Sequence, residues 1–115
     1  MAATFTIKRH DTLPELVVAV SNVATGETYD FTDVTAAKFL MYSDTDPPVQ
    51  KVDAVAVVVT PGTGGRLMYS FNASDTDTAG DYIAEFTAAF IDGSKITAPH
   101  DGYIRVRVVA DLDDE

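Results

Sequence analysis

An aspartate-rich segment late in the chain has the residue types of a metal-binding loop. Residues 75–81 read DTDTAGD, and alternating carboxylates supply the oxygen ligands that Ca²⁺ prefers. An EF-hand would need a further oxygen ligand in place of Ala79 and a bidentate Glu in place of Phe86. A calcium site of another kind, formed by Asp75, Asp77 and Asp81, stays open. We favour a turn whose Asp and Thr side chains bond to nearby backbone amides, with no bound metal and no cofactor.

Each of the two histidines is followed by an aspartate, in His10-Asp11 and His100-Asp101, a pairing that a general base or a catalytic triad would use. Neighbouring residues on a strand or turn point in different directions, and the sequence has no Gly-x-Ser-x-Gly elbow to supply a nucleophile. Two histidines also fall short of the ligand set of a zinc site. The glycine-rich segment 62–65 lacks the Lys and Ser/Thr of a phosphate loop. We therefore expect a protein that is not an enzyme.

The charge balance narrows the classes of partner. The 115 residues carry 18 acidic against 8 basic side chains, a formal net charge of −10. Phosphate backbones and anionic lipid surfaces would repel such a chain, so we expect no nucleic acid and no membrane among its partners. There is no cysteine, which excludes disulfides and thiolate chemistry. The first residues lack the apolar segment of a signal peptide, and no apolar run reaches the roughly 20 residues that span a bilayer.

The elements that would position these side chains are strands. Val and Thr each occur 14 times whereas Leu occurs 5 times, a bias toward β-branched strand formers. Period-two alternation marks most of the strands, and a short extended piece is predicted at 29–31. Residues 52–60 are almost continuously apolar, as in one strand that is covered on both faces or whose outer face meets a partner. We predict an all-β protein, an immunoglobulin-like antiparallel β-sandwich of seven to eight strands. It forms one domain over 1–110, followed by an acidic tail over 111–115.

Two local motifs favour this sandwich. Asp92-Gly93 lies between alternating segments and predicts a type I′ hairpin turn. Gly80-Asp81-Tyr82 opens a long alternating strand and is typical of a tyrosine corner, in which the Tyr hydroxyl bonds back to the preceding loop. A core tyrosine whose hydroxyl reaches water is the alternative.

Several strands carry apolar side chains on both faces. If Phe39 and Met41 point into the core, Leu40 and Tyr42 point outward. Two explanations stay open, namely that loops of the same chain cover the outer side chains or that a partner does, because a large bare apolar patch is unusual on a monomer. Contacts between copies of so acidic a chain would need complementary basic residues.

Four segments, in order along the chain, resemble small phage virion proteins. They are FTIKRHDTLP at 5–14, YDFTDVTAAKFLM at 29–41, TDTAGDYIAEF at 76–86, and residues 92–104, which open on Asp-Gly and close on PHDGYI. The chain is similar to the N-terminal domain of phage baseplate upper proteins and to single-domain relatives of that domain. The resemblance implies an immunoglobulin-like sandwich without catalytic residues that anchors structural parts of the particle.

Baseplate upper proteins continue into helical and receptor-proximal parts, whereas this chain stops at Glu115. We therefore expect a free-standing attachment or decoration module of a phage tail, baseplate, neck or capsid, located in the virion and assembled in the host bacterial cytoplasm. Its partners would be other virion structural proteins, and a homo-oligomer is a further option. The residues that we expect at the contacts are His10, Asp11, Leu40, Tyr42, Val57, Arg105 and Arg107.

Two other functions stay open. A carbohydrate- or cell-surface-binding adhesion module would use the tyrosines Tyr29, Tyr42 and Tyr103 as platforms for sugar rings. A calcium-stabilised extracellular domain would depend on the 75–81 loop alone.

Overall fold

The computed structural model describes residues 4–21, 25–99 and 103–110, so the predicted tail 111–115 and the His100-Asp101 pair lie outside the described residues. The described residues form nine strands and two short 3-10 turns. The strands are β1 (Thr4–Lys8), β2 (Leu16–Ala19), β3 (Val34–Ser43), β4 (Gln50–Val55), β5 (Val57–Val58), β6 (Arg66–Tyr69), β7 (Gly80–Phe90), β8 (Lys95–Ala98) and β9 (Ile104–Val109).

The strands pair into two sheets. The larger sheet has the order β1-β9-β7-β3-β4, with β8 paired to the second half of β7, and the smaller sheet has the order β2-β6-β5. This arrangement matches an immunoglobulin sandwich of variable type, in which strands G, F, C and C′ form one sheet and B, E and D the other. The predicted all-β, immunoglobulin-like sandwich is therefore confirmed, with nine strands where seven to eight were expected.

One edge of the larger sheet differs from the antiparallel prediction. Strand β1 runs parallel to β9, with Phe5 opposite Val106 and Ile7 opposite Val108, so this sheet is mixed. Alternation along a strand shows which side chains are buried but not the direction of the neighbouring strand.

The core lies between the two sheets and is centred on Phe39 of β3, whose side chain is fully buried. Its ring stacks on Tyr69 of β6 at 4.3 Å between centroids and contacts Phe86 of β7 at 5.0 Å and Phe71 at 5.8 Å. Every second side chain of a strand points into the core, so rings from the two sheets meet there and hold the sheets together.

The apolar segment 52–60 forms two strands where a single one was expected. Strand β4 belongs to the larger sheet and β5 to the smaller one, and only Ala56 separates them. Ala56 is buried, and its amide donates to the carbonyl of Ala37 at 2.9 Å. The run is not covered on both faces, since Val52 and Ala56 are buried whereas Val55 and Val57 are exposed.

The predicted turn at Asp92-Gly93 is present but is of another type, and the predicted extended piece at 29–31 is not a strand. The Asp92-Gly93 turn joins β7 to β8, but the Phe90 amide bonds to the Ser94 carbonyl and only Gly93 has a positive φ, of 93°. A type I′ turn needs positive φ at both central residues, so this is a three-residue loop with a G1 bulge instead. The extended piece at 29–31 forms no strand.

The tyrosine corner is present. Tyr82 is buried, and its hydroxyl donates to the backbone carbonyl of Thr78, four residues upstream, at 2.7 Å. This bond fixes the loop before β7 to the start of that strand. The alternative, a hydroxyl that simply reaches water, is excluded.

Candidate functional site

A groove crosses the outer face of the larger sheet, on the side away from the core. Its floor consists of Leu40 and Tyr42 of β3 with Ile83 and Glu85 of β7, which are outward because their neighbours along each strand are buried. The register places Leu40 opposite Glu85 and Tyr42 opposite Ile83. Cross-strand pairs of this kind lie about 5 Å apart. The groove has a volume of about 350 Å³ and is completed by Pro48, Ala84 and Tyr103; we call it the β3–β7 groove.

A hydrogen-bonded loop holds one wall of the β3–β7 groove. The amide of Ser43 donates to the Val49 carbonyl at 2.8 Å, and the Val49 amide donates to the Ser43 hydroxyl oxygen at 2.9 Å. Pro48 is thereby held beside the end of β3. The hydroxyl of Tyr42 donates to Oε1 of Gln50 at 3.1 Å, which orients the tyrosine ring along this wall.

Three ion pairs lie on the same face as the groove. Arg105 contacts Asp44 at 3.1 Å, and Arg107 contacts Asp81 at 3.1 Å. Further along β3, Lys38 Nζ lies 2.8 Å from a carboxylate oxygen of Asp53. All six side chains are substantially exposed, so each pair contributes at most about 1 kcal/mol to stability. Their main effect is to neutralise the rim of the face.

Glu85 differs from the other carboxylates on this face. Its side chain is half-buried, and among the described residues it has no hydrogen-bond or ion-pair partner. On one side, Glu85 pairs with Leu40 of β3. On the other side it lies between the part of β7 that pairs with β9, residues 80–84, and the part that pairs with β8, residues 86–89. The sequence did not single out Glu85, because its position opposite Leu40 depends on the register of β3 and β7. The signal that could have found it was its outward position in an alternating strand.

The predicted contact residues do not form one surface. Leu40 and Tyr42 line the β3–β7 groove, and Arg105 and Arg107 lie beside it on the same face. Val57 lies on the outer face of the smaller sheet, opposite Met68 and in the same row as Val17. The structure thus brings four of the seven predicted residues together and places Val57 on another side of the sandwich.

The remaining two predicted contact residues, His10 and Asp11, form a turn after β1 that packs on the 73–76 turn. The His10 amide donates to the Thr76 carbonyl at 3.0 Å, and the hydroxyl of the buried Thr76 donates to the Asp11 carbonyl at 3.0 Å. His10 has a φ of 69°, and the Asp11 amide donates to the Lys8 carbonyl, as in a type II turn. Their described contacts hold this turn in place.

The aspartates of the 75–81 loop have separate partners. Asp75 accepts hydrogen bonds from the Tyr69 hydroxyl and from the Asn72 amide. Asp77 pairs with Lys51, and Asp81 pairs with Arg107. In the described part of the chain, no three acidic or histidine side chains are grouped so as to hold a metal ion. The loop bonds to its own backbone and to neighbouring strands.

Contacts between this loop and the neighbouring strands shift the pKa values of Asp77 and Tyr69. Lys51 occupies the extra position of a bulge in β4, because Met41 pairs with Val52 and Tyr42 with Gln50. Hydrogen bonds from Lys51 and then Thr78 hold the pKa of Asp77 below its ordinary value. Burial, followed by the hydrogen bond to Asp75, raises the pKa of Tyr69 well above its ordinary value.

The three tyrosines expected for sugar binding do not lie together. Tyr42 and Tyr103 line the β3–β7 groove together. Tyr29 instead packs against the core, with its ring 6.3 Å from that of Phe31. Two aromatic platforms therefore share one site and the third lies outside it.

Among the described residues, no helix is long and apolar enough to cross a membrane. Comparison with known proteins finds no family model that matches the chain and no curated protein that matches it.

Proposed function

We propose that this chain is a non-enzymatic phage virion structural protein, an attachment or decoration module of the tail, baseplate, neck or capsid that acts through contacts with other virion proteins. The phage assignment is supported by the resemblance of the four sequence segments. The observation that carries the binding role is the β3–β7 groove, an apolar depression on the outer face of the larger sheet.

The groove supports a partner over self-covering. The 44–49 loop and Tyr103 form its walls, yet a volume of about 350 Å³ remains open between them. Protein interfaces commonly combine an aromatic and aliphatic centre with a charged rim. Leu40, Tyr42 and Ile83 supply such a centre, and the neutralised pairs beside them supply the rim.

The test is the composition and cross-linking of the purified particle. The virion of the phage that encodes this chain is treated with an amine-reactive cross-linker and analysed by mass spectrometry. We expect the chain to be a particle component, with Lys38, two residues from Leu40 on the same face, cross-linked to a second virion protein. Absence of the chain from particles purified to constant composition would contradict the proposal.

A second candidate, a carbohydrate- or cell-surface-binding adhesion module on the virion, is favoured by one observation. Tyr42 and Tyr103 line the same groove as the Glu85 carboxylate, and sugar sites combine aromatic platforms with polar groups that fix the hydroxyls. Binding of the monomeric protein on a glycan array, lost in Tyr103→Ala and retained in Tyr29→Ala, would support this candidate over the first. No glycan binding by a protein that is present and cross-linked in the particle would rule it out.

A further inference from the structure

The β3–β7 groove contains one carboxylate, that of Glu85, that no described residue neutralises. Asp44, Asp53 and Asp81, which lie on or beside this face, are each paired with a basic side chain. Glu85 is half-buried beside Leu40 and has no partner among the described residues. The other side chains of the groove are apolar or aromatic.

The position of Glu85 favours a cation from outside the chain. Covering a charged carboxylate with apolar groups alone is costly, because the carboxylate loses water without gaining a hydrogen-bond partner. A partner that fills the groove must therefore supply a donor to Glu85. A lysine or arginine supplies the strongest one, since charge-assisted hydrogen bonds are roughly twice as strong as neutral ones.

A second copy of this chain meets that requirement less well through the same face. Lys38, Arg105 and Arg107 are already paired there. Lys8 and Lys95 also point outward on this face and have no ion pair among the described residues, but they lie at its edges, on β1 and β8. Each of two such faces would also bring a Glu85 that has no partner among the described residues, in a chain whose net charge is −10. Charge complementarity thus favours a different, basic protein segment.

The volume of the groove limits how much of the partner segment can enter it. A volume of about 350 Å³ is at the lower end of the range for ligand pockets. It accommodates one large apolar side chain with its neighbour and not a whole helix or strand. Interfaces commonly concentrate their binding energy in such an anchor.

We propose that the β3–β7 groove binds a protein segment in which an apolar anchor residue is adjacent to a lysine or arginine, the anchor contacting Leu40 and Tyr42 and the cation pairing with Glu85. This inference rests on the proposed function, since it specifies the partner of the same site.

The experiment is a selection from a random-peptide library on the immobilised full-length protein. Peptides that also bind the Leu40→Asp variant are removed first. Parallel selections use Glu85→Gln, Glu85→Lys and, as a matched control for the loss of one negative charge, Glu15→Gln on β2's side of the sandwich. Circular dichroism melting of each variant verifies that it is folded.

We expect the wild type and Glu15→Gln to enrich peptides with an apolar residue next to Lys or Arg. Glu85→Gln should bind the same peptides about tenfold more weakly, the scale of one lost charged hydrogen bond. Glu85→Lys should enrich acidic peptides instead. Enrichment that is independent of residue 85, or no enrichment over Leu40→Asp, would overturn the inference.

The outcomes separate this inference from the proposed function. Peptides that depend on Leu40 but carry no basic residue would overturn the pairing with Glu85 and leave a protein-binding groove. Absence of the chain from the particle would contradict the proposed function, whatever peptides the groove selects.

Discussion

Asp75 illustrates how a residue expected to bond to its own loop also holds the strand that precedes the loop. The turn interpretation of the 75–81 segment is consistent with its bond to the Asn72 amide at 2.9 Å. Its second bond, from the hydroxyl of the buried Tyr69, joins this loop to β6. Sequence spacing could not predict that contact, because it depends on how the 73–76 turn folds back on the strand.

The Asp75→Ala substitution tests this contact. It leaves the Tyr69 hydroxyl without its charged acceptor, so we expect the free energy of unfolding to fall by about 2 kcal/mol. Urea denaturation at neutral pH measures it, with Asp33→Ala in an exposed turn as the control. A loss no larger than that of the control would show that the Tyr69 hydroxyl finds another acceptor.

The strands show which part of the fold follows from sequence. Alternation correctly assigns Phe39 and Met41 to the core and Leu40 and Tyr42 to the outer face. The break at Ala56 escaped prediction because an apolar run does not reveal where a chain passes from one sheet to the other. The partnership of Leu40 with Glu85 escaped it too, because period-two patterns do not fix the register between strands that are distant in sequence.

The tyrosine corner makes a prediction about strand β7. Tyr82→Phe removes the hydroxyl that bonds to the Thr78 carbonyl at 2.7 Å, so we expect a loss of about 1.5 kcal/mol in the free energy of unfolding. Tyr42→Phe is the matched control, since its hydroxyl bonds to Gln50 at the surface. Equal effects of the two substitutions in urea denaturation would contradict a structural role for the corner.

For the whole molecule, the pKa shifts predict a range of pH over which stability is retained. Hydrogen bonds from neighbouring side chains lower the pKa values of Asp30, Asp77 and Asp92. The folded state therefore binds these protons less tightly than the unfolded chain, and their contribution is lost as the pH falls below about 4. Burial raises the pKa values of Tyr69 and Tyr82, so their contribution is lost as the pH rises above about 10.

Melting temperatures measured across this range by circular dichroism check the prediction. We expect a decline on both the acidic and the alkaline side. The alkaline decline should be smaller in Tyr82→Phe than in the wild type, because one of the two raised pKa values is removed. Stability that rises below about pH 4 would contradict the sign assigned to the aspartates.

The central claim is that the outer face of the larger sheet, and not that of the smaller sheet, joins this protein to its particle. The most direct measurement is the copy number of each variant in purified virions, determined by quantitative mass spectrometry. Leu40→Asp changes the β3–β7 groove, and Val57→Asp makes the same kind of change at an exposed valine of the smaller sheet. The account predicts that folded Leu40→Asp is depleted from particles while Val57→Asp is incorporated like the wild type. Normal incorporation of Leu40→Asp would contradict it.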